Sequence, residues 1–235
     1  MRFMVMHKVD AAHEAGAPPP PRVIEQMGGF VQKLIADGVM LDGAGLHRSA
    51  MRARIEARGG TAKITKGPYR GSNELLQSFA MIEADSLDDA AAIVARAAAT
   101  AGEVEVEVGK VVEPWDLGVA PEPEGISPRF LVLVKGDATS ERGEAPVVQE
   151  KVMRALAEDH PIAPVTLAPS KKGARSKAGV DGKRTWTDGP FTEARELVGG
   201  YCIVELPTID DVKKLADRYA EILGDNEIDV RVLGS

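Results

Sequence analysis

The densest run of functional side chains is Asp188-Gly189-Pro190-Phe191-Thr192-Glu193-Ala194-Arg195-Glu196. A carboxylate before Gly-Pro can accept backbone N–H bonds from the turn that follows it. The same group, with its pKa raised by apolar surroundings, can act as a general acid or base. Arg195 can grip a carboxylate-bearing ligand with two parallel bonds. It can equally pair with a neighbouring Glu193 or Glu196, an exposed contact worth about 0–1 kcal/mol. Both readings stay open: Asp188 and Arg195 as catalytic candidates, or as parts of a charged turn. Gly189 and Pro190 shape the turn in either case.

The segment occurs twice. Lys66-Gly67-Pro68-Tyr69 aligns with Asp188-Gly189-Pro190-Phe191 at an offset of 122 residues, and the offset persists through Glu74/Glu196, Glu83/Glu205, Asp88/Asp210 and Glu105/Glu227. Arg2-Phe3 and Arg129-Phe130 each open an apolar run that ends in lysine, Lys8 and Lys135. The chain is a tandem duplication: residues 1–112, a linker 113–128 rich in proline and glycine, and residues 129–235. Gly67 and Pro68 keep the turn in the first copy, but Lys66 replaces the aspartate. A ligand site is therefore expected to be asymmetric and to border 188–196.

The elements follow from periodicity. Phe3 to Val9 reads as a strand, and Arg22 to Asp37 as a helix with apolar residues recurring at three and four, stopped by Gly38. Met51 to Ala57 and Ala62 to Thr65 form a hairpin around Gly59-Gly60. Strand Ser78 to Ala84, a helix capped by Ser86, and strand Val104 to Val112 complete β-α-β-β-α-β. The second copy repeats the order, with a turn at Val180-Asp181-Gly182-Lys183 and Thr208 as the cap. The expected class is α+β: two ferredoxin-like repeats packed sheet to sheet as an intramolecular dimeric α+β barrel. Apolar residues on both faces of 78–84 and 200–206 require this packing. Phe79, Met81, Tyr201 and Ile203 should lie between the sheets. Phe79, Tyr201, Glu83, Glu205, Glu193 and Glu196 are the ligand-binding candidates.

Other reactive residues have blander explanations. His7 alternates with apolar neighbours and reads as core or rim. Asp42 and His47, five apart, fit neither a helix face nor a metal spacing. Cys202 reads as a packed thiol, and Trp115 as an anchor for the linker. No metal or cofactor is expected. Net charge is −7 and the pI near 5.3, without a basic patch, so nucleic acid is not an expected partner. One cysteine and the lack of a long apolar run predict a cytoplasmic protein with no membrane contact.

Residues 188–201 (DGPFTEARELVGGY) are similar to the DGPF type of the YCII-related family, whose pattern is DGPF-x-E-x-K-E-x-x-G-G-(F/Y), with Arg195 in the lysine position. Gly38 to Leu46 resembles the family's segment after the first helix. In the first copy only Gly67, Pro68, Tyr69 and Glu74 remain of the motif. The resemblance implies a dimeric α+β barrel, and for many members an association with extracytoplasmic-function sigma factors. Some relatives look like cofactor-free enzymes resembling muconolactone isomerase, using a His and Asp pair. His13 and His160 fall before and after the helices where that histidine is expected. Two functions follow. The first is a small-molecule binding or regulatory module. The alternative is a cofactor-independent lyase or isomerase acting on a small cyclic or carboxylate-bearing substrate. An internal pseudo-dimer is expected, with a further homodimer left open.

Overall fold

A computed structural model describes residues 1–71, 74–178, 183–191, 197–224 and 227–234. The first copy contains β1 (Arg2–Lys8), α1 (Ala11–Glu14), α2 (Pro21–Ala36), β2 (Met40–Leu46), β3 (Arg52–Arg58), β4 (Thr61–Lys66), β5 (Leu76–Glu83), α3 (Leu87–Ala101) and β6 (Val104–Val112). The second contains β7 (Arg129–Lys135), α4 (Ala138–Arg142), α5 (Val147–Asp159), β8 (Val165–Thr166), β9 (Ala174–Ala178), β10 (Arg184–Asp188), β11 (Val198–Glu205), α6 (Ile209–Leu223) and β12 (Ile228–Val232). Short 3-10 turns at Ser49–Met51 and Ser170–Lys172 precede β3 and β9.

Local chemistry sets most boundaries. Pro21 begins α2, where a missing N–H costs nothing. Gly38, at φ 67°, takes the left-handed conformation past its end. The Ser86 and Thr208 hydroxyls accept from Asp89 N and Asp211 N at the starts of α3 and α6. Gly59 and Gly60, at φ 57° and 79°, make the tight turn between β3 and β4. β2, its counterpart β8, and the helices α1 and α4 were not foreseen. β2 is a strand although it carries two glycines. α1 and α4 are single turns started by the carboxylates of Asp10 and Asp137, too short to show a period. The expected turn at Val180-Asp181-Gly182 lies outside the described residues.

The fold is α+β, with one curled antiparallel sheet in the order β10-β9-β12-β1-β11-β2-β6-β7-β5-β8, and β3 joining β4 to β6. The pairing crosses between copies. β1 lies between β11 and β12, both from the second copy, and β7 lies between β5 and β6, both from the first. Each copy thus lends its first strand to the other's last two, whereas self-contained repeats were the expectation. Both lent strands are apolar on two faces, so each must be central. Phe3 and Val5 face α2 and α6, and Phe130, Val132 and Val134 face α3 and α5. Met4, Met6, Leu131 and Leu133 point the other way, into an inner cluster with Phe79, Tyr201 and Ile203, against which Met81 packs. Burying each such large side chain stabilises the fold by about 1.5–3 kcal/mol. The four residues expected between the sheets therefore share this cluster.

Two equivalent contacts, each within one copy, join the half of the sheet built on β1 to the half built on β7. Leu46 pairs with Val111 where β2 meets β6, and Leu167 bridges Leu233 just beyond β8 and β12. These contacts bring the ends of the second strands, and the residues that follow them, next to the ends of the last strands.

Candidate functional site

The two Gly-Pro turns are built alike. Gly67 and Gly189 lie against the carbonyls of Ser49 and Ser170, so closely that a Cβ on either glycine would collide. The Ser49 hydroxyl accepts from Tyr69 N at 3.2 Å, and the Ser170 hydroxyl from Phe191 N at 2.9 Å. Each hydroxyl donates to a carboxylate, Glu14 or Glu141, which also accepts the serine N–H. The Arg54 guanidinium covers the Tyr69 ring and that of Arg175 covers Phe191, both at 4.4 Å.

Asp188 is not directed into an apolar site. It ends β10 at the surface, 77% exposed, bonded to Lys213 Nζ at 2.9 Å. Its counterpart Lys66 binds Asp88 at 2.5 Å. With the charges reversed, both pairs tie a hairpin strand to the helix that packs beside it. The bond that Asp188 makes thus runs to a helix lysine, not to the backbone of its own turn. Tyr201 and Phe79 do come together, with ring centroids 5.4 Å apart in the inner cluster. The Tyr201 hydroxyl donates to Asp42 at 2.8 Å, and burial, then the Asp42 charge, holds its pKa above the usual value. Glu205 and Glu83 were ligand-binding candidates. Both reach solvent at strand ends, Glu205 paired with Arg2 and Glu83 on the rim of a cavity of about 480 Å³ beside Asp85, Asp89 and His160. Glu193, Arg195 and Glu196 lie outside the described residues. Among the described residues, no group of His, Cys, Asp or Glu is placed to hold a metal ion.

Buried charge gathers next to each turn. At the first end Glu107, fully buried, meets Arg52 Nη1 at 2.9 Å, with Lys135 and Arg54 at 3.9 Å. Lys135 and Arg54 also share Glu74. Burial alone would raise the Glu107 carboxyl, but Lys135, Arg52 and Arg54 outweigh it and hold it below the ordinary range. At the second end Asp229 meets Lys8 at 3.2 Å and Arg175 at 2.5 Å, with the same result. Lys8 and Lys135, the lysines that close the two lent strands, each serve the opposite copy's cluster.

One end carries an addition that the other lacks. His47 follows β2, and Asp116 lies in the linker. Their side chains are about one-fifth exposed, and His47 Nε2 lies 3.2 Å from Asp116 Oδ2. Burial would raise the Asp116 carboxyl; the Glu113 N–H, His47 and Lys110 hold it below its usual value. Burial pushes the His47 imidazole down, against the pull of Asp116. The His47 carbonyl accepts from Arg52 Nε at 2.6 Å, so the buried Glu107–Arg52 pair fixes the backbone from beneath. His13 donates to the neighbouring Leu46 carbonyl; burial, then the charge of Arg52, lowers its pKa. His7, whose Nδ1 lies 2.7 Å from the Tyr219 hydroxyl, is lowered to about 3 by burial first and then by His13 and Arg52. Three of the chain's four histidines thus lie in the field of one buried guanidinium.

A neutral imidazole with one nitrogen on an ionised carboxylate presents the other nitrogen as a base. Sequence spacing set His47 against Asp42 and so missed its partner, 69 positions away. The only trace in the sequence was a tight turn, Glu113-Pro114-Trp115-Asp116, at the start of the linker.

A duplicated α+β chain with exchanged first strands, twin Gly-Pro turns and one His–Asp pair at its rim defines a class of small paired-sheet proteins. The chain belongs to the YCII-related domain family, which matches residues 1–113 and 130–225. No curated protein and no solved structure matches it. Among the described residues no helix is long and apolar enough to cross a membrane.

Proposed function

We propose that the protein performs acid–base chemistry on a small molecule at His47, as a lyase or isomerase acting on a cyclic or carboxylate-bearing substrate. The His47–Asp116 pair carries this reading. Asp116, kept ionised by three neighbours, orients Nε2–H and stabilises the imidazolium that forms when Nδ1 takes a proton. A histidine whose pKa is lowered by burial is neutral near pH 7 and ready to accept that proton. In this reading the exchanged strands complete two ferredoxin-like units, and the Leu46–Val111 and Leu167–Leu233 contacts close them into a barrel within one chain. Each unit takes its first strand from one copy and its last two from the other, and the copies, residues 1–112 and 129–235, are joined by a linker that also supplies Asp116.

The test is proton exchange. Unsaturated γ-lactones and small keto acids in D2O should gain deuterium next to the carbonyl in the presence of the protein, read by proton NMR. His47→Ala should abolish the gain, and Asp116→Asn should reduce it roughly 10²-fold or more, the usual scale of positioned acid–base groups. No exchange across the panel, or exchange unchanged in His47→Ala, would sink the reading. A second reading, a binding or regulatory module, is favoured by the 480 Å³ cavity, whose lining includes neither His47 nor Asp116. That volume lies in the range of small-molecule sites. Saturable binding that perturbs Ile93 and Ile162 methyl signals, and not His47, would support it.

A further inference from the structure

Arg52 opens β3 and lies opposite Gly109 of β6. It is fully buried, and a Cβ on Gly109 would sit 3.2 Å from its Cγ and Cδ. At the other end the arrangement is inverted. Arg231 of β12 is the buried arginine, and the residue facing it, one step beyond the Ala174–Val230 pair, is Gly173. A Cβ there would sit 3.1 Å from Arg231 Cδ, and also 2.5 Å from the Val230 carbonyl. The two guanidinium groups have the same task. Arg52 Nε donates to the His47 carbonyl at 2.6 Å, and Arg231 Nη2 to the Ala168 carbonyl at 2.6 Å. His47 and Ala168 are equivalent, since each follows the residue, Leu46 or Leu167, that bridges to Val111 or Leu233. Each arginine also meets a carboxylate, Glu107 for Arg52 and Glu141 for Arg231.

Duplicated segments start with the same residue at the same place. Here arginine and glycine have traded strands while the guanidinium stayed at the same carbonyl. Two facing residues can alternate in this way only if the space holds one long side chain and no more. A buried carbonyl without a donor costs about 1–3 kcal/mol, which makes a donor necessary at both ends.

We propose that Arg52 is the positioning residue for His47, and that the fold requires a guanidinium at the carbonyl after each second strand, whichever facing strand delivers it. This rests on the acid–base reading only for the purpose of the positioning; the strand-independence of the guanidinium stands apart from it.

The experiment compares Arg52→Gly, Gly109→Arg and the double variant R52G/G109R by melting temperature and by the NMR titration of the His47 imidazole. Arg52→Gly leaves Glu107 and the His47 carbonyl without their donor and should lower Tm by about 10 °C. Gly109→Arg alone forces two guanidiniums into one site and should lower it comparably. The double variant should recover more than half of the summed loss and return the His47 titration to the wild-type curve. Losses that simply add overturn strand-independence. Recovered Tm with an unrestored His47 titration overturns the positioning role. Arg52→Lys keeps the charge but cannot reach the His47 carbonyl and Glu107 together. It provides a milder variant should Arg52→Gly fail to fold: an unaltered His47 titration in Arg52→Lys also overturns positioning. These readouts need no substrate, so failure of deuterium exchange would leave them unaffected.

Discussion

The two ends of this molecule share a frame and differ in what the frame holds. Both have a serine gripping a Gly-Pro turn, an arginine over an aromatic ring, and a lysine from the other copy beside a buried carboxylate. At the first end the carbonyl after the second strand belongs to His47, and the linker brings Asp116 against its ring. At the second end the same carbonyl belongs to Ala168, whose methyl group cannot accept or donate a proton. The frame is old and common to both copies; the chemistry belongs to one. Duplication lets one copy keep the structural residues while the other acquires a reactive group, and the joining segment can contribute to the result.

The strongest test of the shared frame is removal of its central carboxylates. Glu107→Ala and Asp229→Ala each take the central carboxylate from buried cations, Arg52 and Lys135 in one case and Lys8 and Arg175 in the other. Each should cost about 3–5 kcal/mol in urea unfolding. A large loss at one end and less than 1 kcal/mol at the other would end the equivalence.

Next in size is a pH effect carried by His7, a residue without a titratable counterpart in the second copy. His7 occupies the place that Val134 holds in the second copy, and its folded pKa is lowered to about 3 from 6.5. A folded pKa below the unfolded one means that the unfolded chain binds the extra proton. The contribution is therefore fully present above about pH 6.5 and is lost as pH falls toward 3. Between pH 6.5 and 5.5 the loss should be about 1 kcal/mol, seen as the difference in slope between wild type and His7→Val. Equal slopes in the two proteins would show that His7 gains no protection from folding.

The smallest effect is expected where sequence reasoning first looked. Asp188→Asn removes one half of an exposed pair with Lys213, and Lys66→Gln the matching half with Asp88. Both should change stability by less than about 0.5 kcal/mol, and Asp188→Asn should leave deuterium exchange untouched. Loss of exchange in Asp188→Asn would move the site to the second end.

Periodicity and caps made the element order legible. Ser86, Thr208, Gly38 and the Gly59-Gly60 turn act on their own neighbours, so the sequence states their effect directly. The doubly apolar strands also told that both of their faces are covered, and Phe79 and Tyr201 do meet. The exchange of β1 and β7 was not legible. Apolar alternation says that a strand is central but not which two strands flank it, because either copy presents equivalent neighbours. Single-turn helices such as α1 fall below any period.

The candidate site divides along the same line. The sequence by itself determined the duplication, the Gly-Pro turns and the decay of the first motif at Lys66. Those are matters of local conformation and of alignment between copies. Only the tertiary structure decided that Asp188 ends at the surface beside Lys213, that Lys8 and Lys135 neutralise the opposite copy's carboxylates, and that His47 finds Asp116 in the linker. Each of those pairings joins residues far apart in the chain. Charge and hydrogen bonding act through space, so which partners meet is decided by the packing of the sheet and linker rather than by spacing along the backbone.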